Sequence, residues 1–332
     1  MGVNPVFALP VRLRNELDLR ITTRFASLPP HRARLAIMPL LLTAALLCGA
    51  QAAQQDSLAA AMNAAVSQSP AAPGAIIVQD VVTGSILAAR GLDVAAHRLD
   101  RPGSTLKPFV LMALLDSGRL DPQRRILCRR TLTIGGMRMD CTHPANVSQI
   151  DAEAAIAWSC NTYVSEVSTR LSAHELVQVF RRAGFDSPTG RAASEAVGTI
   201  ALPATREELQ LEALGSWGIE VTPLELLEAY RKLALRRREG TTGAETPVFA
   251  GLADSVAFGM AHAAFVADMR AAGKTGTASS TDTARSHGFF VGYAPVDKPE
   301  IVVLVYLENG RGMDAAALAE PIFSAYAKLK KP

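Results

Sequence analysis

The chain has 332 residues, 49% hydrophobic and 20% charged, which is enough apolar side chain to fill the core of one or two globular domains and too much for a disordered chain. Its 34 Lys and Arg stand against 31 Asp and Glu, and a net charge of +3 gives no argument for nucleic acid as a partner. A multi-span membrane protein is excluded as well, because long apolar runs do not recur along the chain.

Residues 1–53 differ in kind from the rest. Arg12, Arg14, Arg20, Arg24, Arg32 and Arg34 precede an uncharged apolar run from Leu35 to Ala50, and Ala50-Gln51-Ala52 offers small residues where a signal peptidase cuts. The run is about 16 residues, short of the roughly 20 that span a bilayer comfortably, which favours a cleaved signal. The long basic lead-in also suits the cytoplasmic stub of an uncleaved anchor. Leu47 before Cys48 is a branched side chain where a lipoprotein signal wants a small one. The expectation is an exported, periplasmic or otherwise extracytoplasmic protein, held to the inner membrane if the segment stays attached, with residues 54–332 as its folded domain.

That domain opens with an alanine-rich helix, Asp56 to Gln68. Two strand-like runs follow, Gly74 to Val82 and Gly84 to Arg90, joined at Thr83-Gly84 as a hairpin. The middle is helical: Pro108 to Ser117, Asp151 to Leu171, Ala173 to Ala183, and Pro223 to Arg237 with Thr222 as its N-cap. Arg236-Arg237-Arg238-Glu239 reads as a solvated helix end. Strands return at Lys274 to Ser279, Gly288 to Tyr293 and Glu300 to Leu307, and Asp314 to Lys330 closes the chain as a helix. Strands and helices do not alternate as βαβ units would. The expected class is therefore α+β, a five-stranded, mostly antiparallel sheet flanked by helices, with an all-helical subdomain.

Of the four cysteines, Cys48 lies in the leader and Cys160 inside a motif described below. Cys128 and Cys141 flank a stretch with Gly135-Gly136 at its middle, which reads as a hairpin whose ends face each other. After export, a disulfide between them is expected to form as readily as not. His143 lies close by, but no second Cys-x-x-Cys or His pair completes a zinc set, so metal binding is the weaker reading.

Three short motifs carry the chemistry. Ser104 and Lys107, at i and i+3, share one face of a helix. A serine hydroxyl needs a base, and a lysine serves once its pKa is lowered. Arg101-Pro102-Gly103 places Ser104 at a helix N-terminus, where the dipole favours developing negative charge. Pro108 complicates that start, since it disfavours helical geometry at Lys107. Ser159-Cys160-Asn161 lies in an apolar stretch, so Ser159 is a candidate proton relay and Asn161 a ligand for a substrate amide. Lys274-Thr275-Gly276-Thr277 reads as an exposed strand whose glycine admits a substrate backbone, with the lysine and both hydroxyls facing a carboxylate. The plain alternatives are a surface helix start, a capped or kinked helix, and an edge strand guarded by a lysine.

Together these segments resemble the transpeptidase domain of penicillin-binding proteins, which shares its fold and acylation chemistry with serine β-lactamases. The resemblance extends to Arg101–Pro108, Ser159–Tyr163, Thr222–Leu226, Lys274–Ala278 and His287–Pro295, in family order, and covers about Gly74 to Ala327. It implies Ser104 as acylated nucleophile, Lys107 as general base, Ser159 as relay, Asn161 as amide ligand, and Lys274, Thr275, Gly276 and Thr277 as the carboxylate-binding strand. The backbone N–H groups of Ser104 and Thr277 would form the oxyanion hole. It implies neither metal nor organic cofactor.

The leading expectation is a D,D-transpeptidase or D,D-carboxypeptidase acting on the D-Ala-D-Ala end of peptidoglycan stem peptides and acylated by β-lactam antibiotics. It would be a minimal unit without its own glycosyltransferase domain, working beside a separate glycosyltransferase or cell-wall assembly partner. A serine β-lactamase is the second reading and needs another base for water, for which Glu153 and Glu166 flank the middle motif. A non-catalytic β-lactam sensor or cell-wall scaffold is the third, and three whole motifs argue against it.

Overall fold

The computed structural model describes residues 53–67, 73–241, 243–279 and 285–330. The basic segment, the apolar run and its small-residue cleavage site lie outside the described residues. Among those described, no helix is long and apolar enough to cross a membrane.

Helix α1 covers residues 53–67. Strands β1 (Pro73–Asp80) and β2 (Ile86–Arg90) pair as a hairpin, and helix α2 (Leu92–His97) leads to a 3-10 turn, Gly103–Leu106, that runs into α3 (Lys107–Asp116). The central region holds β3 (Ile126–Leu127), β4 (Thr133–Ile134), β5 (Met137–Arg138), β6 (Gln149–Ile150), α4 (Ala152–Ala157), α5 (Asn161–Ser168) and α6 (Ala173–Ala183). Next come β7 (Thr199–Ile200), α7 (Arg206–Ala213), β8 (Ile219–Glu220), α8 (Pro223–Glu239) and α9 (Thr246–Ala257). Strands β9 (Ala272–Ser279), β10 (Ser286–Ala294) and β11 (Ile301–Leu307) precede the closing helix α10 (Gly312–Lys330).

The main sheet has the order β2-β1-β11-β10-β9 and is antiparallel at every step. Strands β10 and β11 read as unbroken apolar runs because both of their faces are covered. The period-2 alternation divides them between two cores. Phe289, Val291, Tyr293, Val302, Leu304 and Tyr306 face the helical block, while Phe290, Ala294, Ile301, Val303, Val305 and Leu307 face α1 and α10. The described residues of the unit that begins at Gln54 thus form three layers with the sheet in the middle, the α+β arrangement expected from the order of elements.

Helix α3 is apolar almost all round, since it runs through the middle of the helical block with eight of its ten residues buried. Helix α8 opens on a capping box in which Thr222 and Glu225 bond each other's backbone N–H groups. It then passes behind α3, where the Tyr230 hydroxyl donates to the Thr105 carbonyl at 2.8 Å.

The structure corrects two expectations and answers a third question, left even between a disulfide and free thiols. Asp151 to Leu171 is two helices, α4 and α5, interrupted at Trp158 to Cys160. Ser104 sits on a 3-10 turn, and the α-helix begins only at Lys107. Cys128 and Cys141 are free thiols. The hairpin between them does form, with Thr133 opposite Arg138 and both turn glycines at positive φ. Its ends close through the Cys141 N–H donating to the Arg130 carbonyl.

Candidate active site

The nucleophile turn is fixed from three sides. Gly103 has a φ of 56° and donates its N–H to the Gly215 carbonyl at 3.0 Å. The Thr105 hydroxyl donates to the Pro102 carbonyl at 2.7 Å, and His287 Nε2 bonds the Arg101 carbonyl at 2.7 Å. Ser104 is half-buried at the head of this turn, and Lys107 on the next turn is fully buried. The proline after it does not prevent helical geometry, because Lys107 has φ −54° and ψ −40° and Pro108 falls within the first turn of α3, where its missing N–H is one of the unpaired donors anyway.

The break between α4 and α5 explains the middle motif. Ser159 has a φ of +55°, Cys160 N–H donates to the Ala155 carbonyl, and Ser159 N–H donates to the Ile156 carbonyl. This is the helix stop in which a left-handed residue lets two N–H groups cap the last turn, a position usually held by glycine. A side chain there costs about 1–2 kcal/mol. The turn aims both the carbonyl and the hydroxyl of Ser159 at Lys107.

The Lys107 amine donates to the Ser159 carbonyl at 2.7 Å, to Ser159 Oγ at 3.2 Å and to Asn161 Oδ1 at 2.5 Å. Asn161 is held from behind, its amide donating to the carbonyls of Met139 at 3.0 Å and Asp140 at 3.3 Å. From the sheet, the buried Lys274 donates to Ser159 Oγ at 2.8 Å and to the Thr275 carbonyl at 3.0 Å. One hydroxyl therefore accepts from two lysines. A hydroxyl has two acceptor lone pairs, so its own proton stays free to donate.

Two buried amines sharing one oxygen cannot both carry a charge cheaply. Burial lowers the Lys107 pKa from 10.5 to about 8, while the nearby Cys160, Cys141 and Cys128 thiols pull it upward. Lys274 is pushed well below 10.5 by burial and then by the Lys107 charge. As an ammonium, Lys107 spends its three donors on Ser159 and Asn161. As a neutral amine it keeps two donors and gains a lone pair that can accept a proton.

The third motif lies on the edge strand β9, as expected, but its first three residues are buried rather than exposed. Lys274 pairs with Val291 and faces the helical block, whereas Thr275 pairs with Phe290 on the face toward α10. The Thr277 hydroxyl accepts the Gly312 N–H at 2.9 Å, and Thr275 packs on the same glycine. Gly276 makes room inside the protein: a Cβ there would stand 2.5 Å from the Pro102 carbonyl. The strand's glycine thus lets β9 lie against the nucleophile turn, and the Thr277 peptide reaches the position where a Gly103 side chain would be. Lys107, Ser159, Asn161 and Lys274 form one hydrogen-bonded network beside Ser104. Thr275 and Thr277 border it from the α10 side.

Sequence reasoning missed the residues that hold this network in place: the Met139 and Asp140 carbonyls, Gly215, Tyr230 and His287. Only His287, within a segment already noted for its resemblance, carried a signal. It also missed that Cys128, Cys141, His143 and Cys160 gather behind Asn161, where all four ligand atoms lie within 4.8 Å of one another.

Comparison with known proteins identifies the family and the fold. Residues 74–328 match the family described as penicillin binding protein transpeptidase domain. The chain is 27% identical to the peptidoglycan D,D-transpeptidase MrdA of Acinetobacter baumannii over 286 residues, 69% of this chain and 43% of that protein. It is 24% identical to the probable peptidoglycan D,D-transpeptidase PenA of Neisseria flavescens, covering 79% of this chain and 76% of that one. The chain thus spans less than half of the first of these relatives. In structure it resembles the transpeptidase domain of Burkholderia pseudomallei penicillin-binding protein 3, with a TM-score of 0.74 at 22% identity over 85% of this chain and 96% of the other. The match extends over most of the sequence, so the chain belongs to the penicillin-binding protein transpeptidase domain family.

Proposed function

We propose that the protein is an extracytoplasmic serine D,D-acyltransferase of peptidoglycan stem peptides. Ser104 attacks the penultimate D-Ala carbonyl as neutral Lys107 takes its proton. Ser159 passes a proton to the departing D-Ala amine, Asn161 holds a substrate amide, and Lys274 with the Thr275–Thr277 strand binds the terminal carboxylate. The backbone N–H groups of Ser104 and Thr277 stabilise the oxyanion, a pair whose loss typically costs about 10²–10³ in rate per donor. A second stem-peptide amine, or water, then takes the acyl group. A separate glycosyltransferase would supply the strands that are joined.

The observation that carries this reading is the Ser159 hydroxyl shared by two buried lysines, a costly arrangement for a scaffold and a useful one for moving a proton. The two carboxylates considered for a β-lactamase are engaged elsewhere: Glu166 pairs with Arg124 at 3.4 Å, and Glu153 faces Asp254. The test is incubation with a peptide ending in D-Ala-D-Ala, with and without an amine acceptor. D-Ala release that disappears in Ser104→Ala is expected. Failure of the wild type to release D-Ala or form a cross-linked product, under conditions where a related D,D-transpeptidase does both, would reject the proposal.

A further inference from the structure

Cys128, Cys141, His143 and Cys160 come from three segments: the end of β3, the loop after the β4–β5 hairpin, and the residue that opens α5. All four are buried, His143 with 1% and Cys160 with 0% of its surface exposed. The Cys141 and Cys160 sulfurs are 3.8 Å apart. That is far beyond the ~2.05 Å of a disulfide. It equals the edge of a tetrahedron of sulfurs about 2.3 Å from a central zinc ion, roughly 3.8 Å.

The surroundings are those of ligands rather than of core-filling thiols. The Arg130 N–H points at Cys128 Sγ at 3.4 Å from a residue in left-handed geometry, and the Asn161 N–H points at Cys141 Sγ at 3.2 Å. Backbone donors of this kind offset the charge of thiolates. His143 bonds the Pro144 carbonyl through Nδ1 at 3.2 Å, which fixes the ring and its tautomer. Its other nitrogen, Nε2, is buried with no hydrogen-bond partner among the described residues. An unsatisfied buried acceptor is unfavourable, and a metal ion on Nε2 would satisfy it.

We propose that Cys128, Cys141, His143 and Cys160 form a closed structural zinc site, three thiolates and one imidazole, that buttresses the Ser159–Asn161 segment. Three soft sulfurs with one imidazole nitrogen select zinc among the common divalent ions. The site is closed because all four positions are filled by protein, so the ion takes no part in chemistry. Its place gives its role. Cys160 lies between Ser159 and Asn161, and the Cys141–His143 loop directly follows Met139 and Asp140, whose carbonyls hold Asn161. The ion would join both sides of that contact. The expectation of no metal set Cys160 aside as part of a motif; the fold supplies it as the fourth ligand.

The full chain, purified without chelator, should hold one zinc per molecule by elemental analysis. Its cobalt-exchanged form should show thiolate-to-cobalt charge-transfer absorption with the intense visible bands of tetrahedral cobalt. Cys128→Ser and His143→Ala should yield their zinc to a chelator concentration that leaves the wild type loaded, and both should melt at lower temperature. The cobalt spectrum needs no variant and stands even if one of them fails to fold. The proposal is overturned by protein that takes up no zinc when reduced and supplied with it. It is overturned equally by a cobalt form without thiolate charge transfer, by bound zinc retained undiminished in both variants, or by a disulfide joining two of the three cysteines in the exported protein.

Discussion

The base assigned to Lys107 has a testable pH signature. An amine with a pKa of about 8 is neutral in about a tenth of molecules at pH 7, half at pH 8 and nine-tenths at pH 9. Acylation of saturated enzyme should therefore rise about fivefold from pH 7 to pH 8 and less than twofold over the next unit. Asn161→Asp perturbs this directly, because it replaces the Oδ1 that sits 2.5 Å from the amine with a carboxylate oxygen of nearly the same shape. An opposite charge at such range favours the ammonium and shifts a pKa by about 1–3 units, here upward. The inflection should move to about 9–11, and acylation at pH 7 should fall about 10- to 1000-fold further than at the new plateau. Stopped-flow measurement of single-turnover acylation by a fluorescent penicillin between pH 6 and pH 10 reads the rate at pH 7 and shows whether the inflection has moved above its wild-type position. An Asn161→Asp inflection that stays at the wild-type value, or moves to lower pH, would refute the role of Lys107 as the titrating base.

Three further outcomes follow from the packing. Gly276→Ala drives a methyl group into the Pro102 carbonyl, so the nucleophile turn must shift; thermal stability should drop by the ~1–3 kcal/mol typical of overpacking while penicillin labelling falls at least about 100-fold. Ser159→Gly keeps the left-handed turn without its strain, whereas Ser159→Ala keeps the strain without the hydroxyl; urea titration should find the glycine variant more stable by about 1 kcal/mol, with acylation crippled in both. Glu212 is fully buried, and desolvation followed by the Glu208 charge raises its pKa from 4.5 to about 8. The unfolded chain loses that proton first, so stability should fall as pH rises from about 4.5 to 8. Glu212→Gln should flatten that part of the melting-temperature profile, and a profile equally steep in both proteins would count against it.

The sheet and the residues of the candidate site were legible in the sequence for different reasons. Strands β10 and β11 announced themselves as apolar runs of strand length, and α8 carried Thr222 and Pro223 as start signals. Helix α7 has the same kind of cap, with Thr205 and Glu208 bonding reciprocally, and was readable though not read. Helix α9 is apolar on too many sides for a periodic stripe to stand out. The break at Ser159 surfaced only as the plain alternative of a capped or kinked helix, because a serine occupies the left-handed position where a glycine would have flagged a helix stop. The role of Gly276 and the gathering of four sulfur and imidazole ligands are products of tertiary contact. Neither Pro102 beside Gly276 nor Cys160 beside Cys141 is a neighbour in sequence.

The account rests on Ser104 as the acylated nucleophile, and intact-protein mass spectrometry after exposure to benzylpenicillin tests that most directly. The account predicts one adduct of the mass of the antibiotic, mapped by proteolysis to the peptide containing Ser104 and lost in Ser104→Ala. A wild-type chain that forms no adduct, or an adduct that persists in Ser104→Ala, would contradict it.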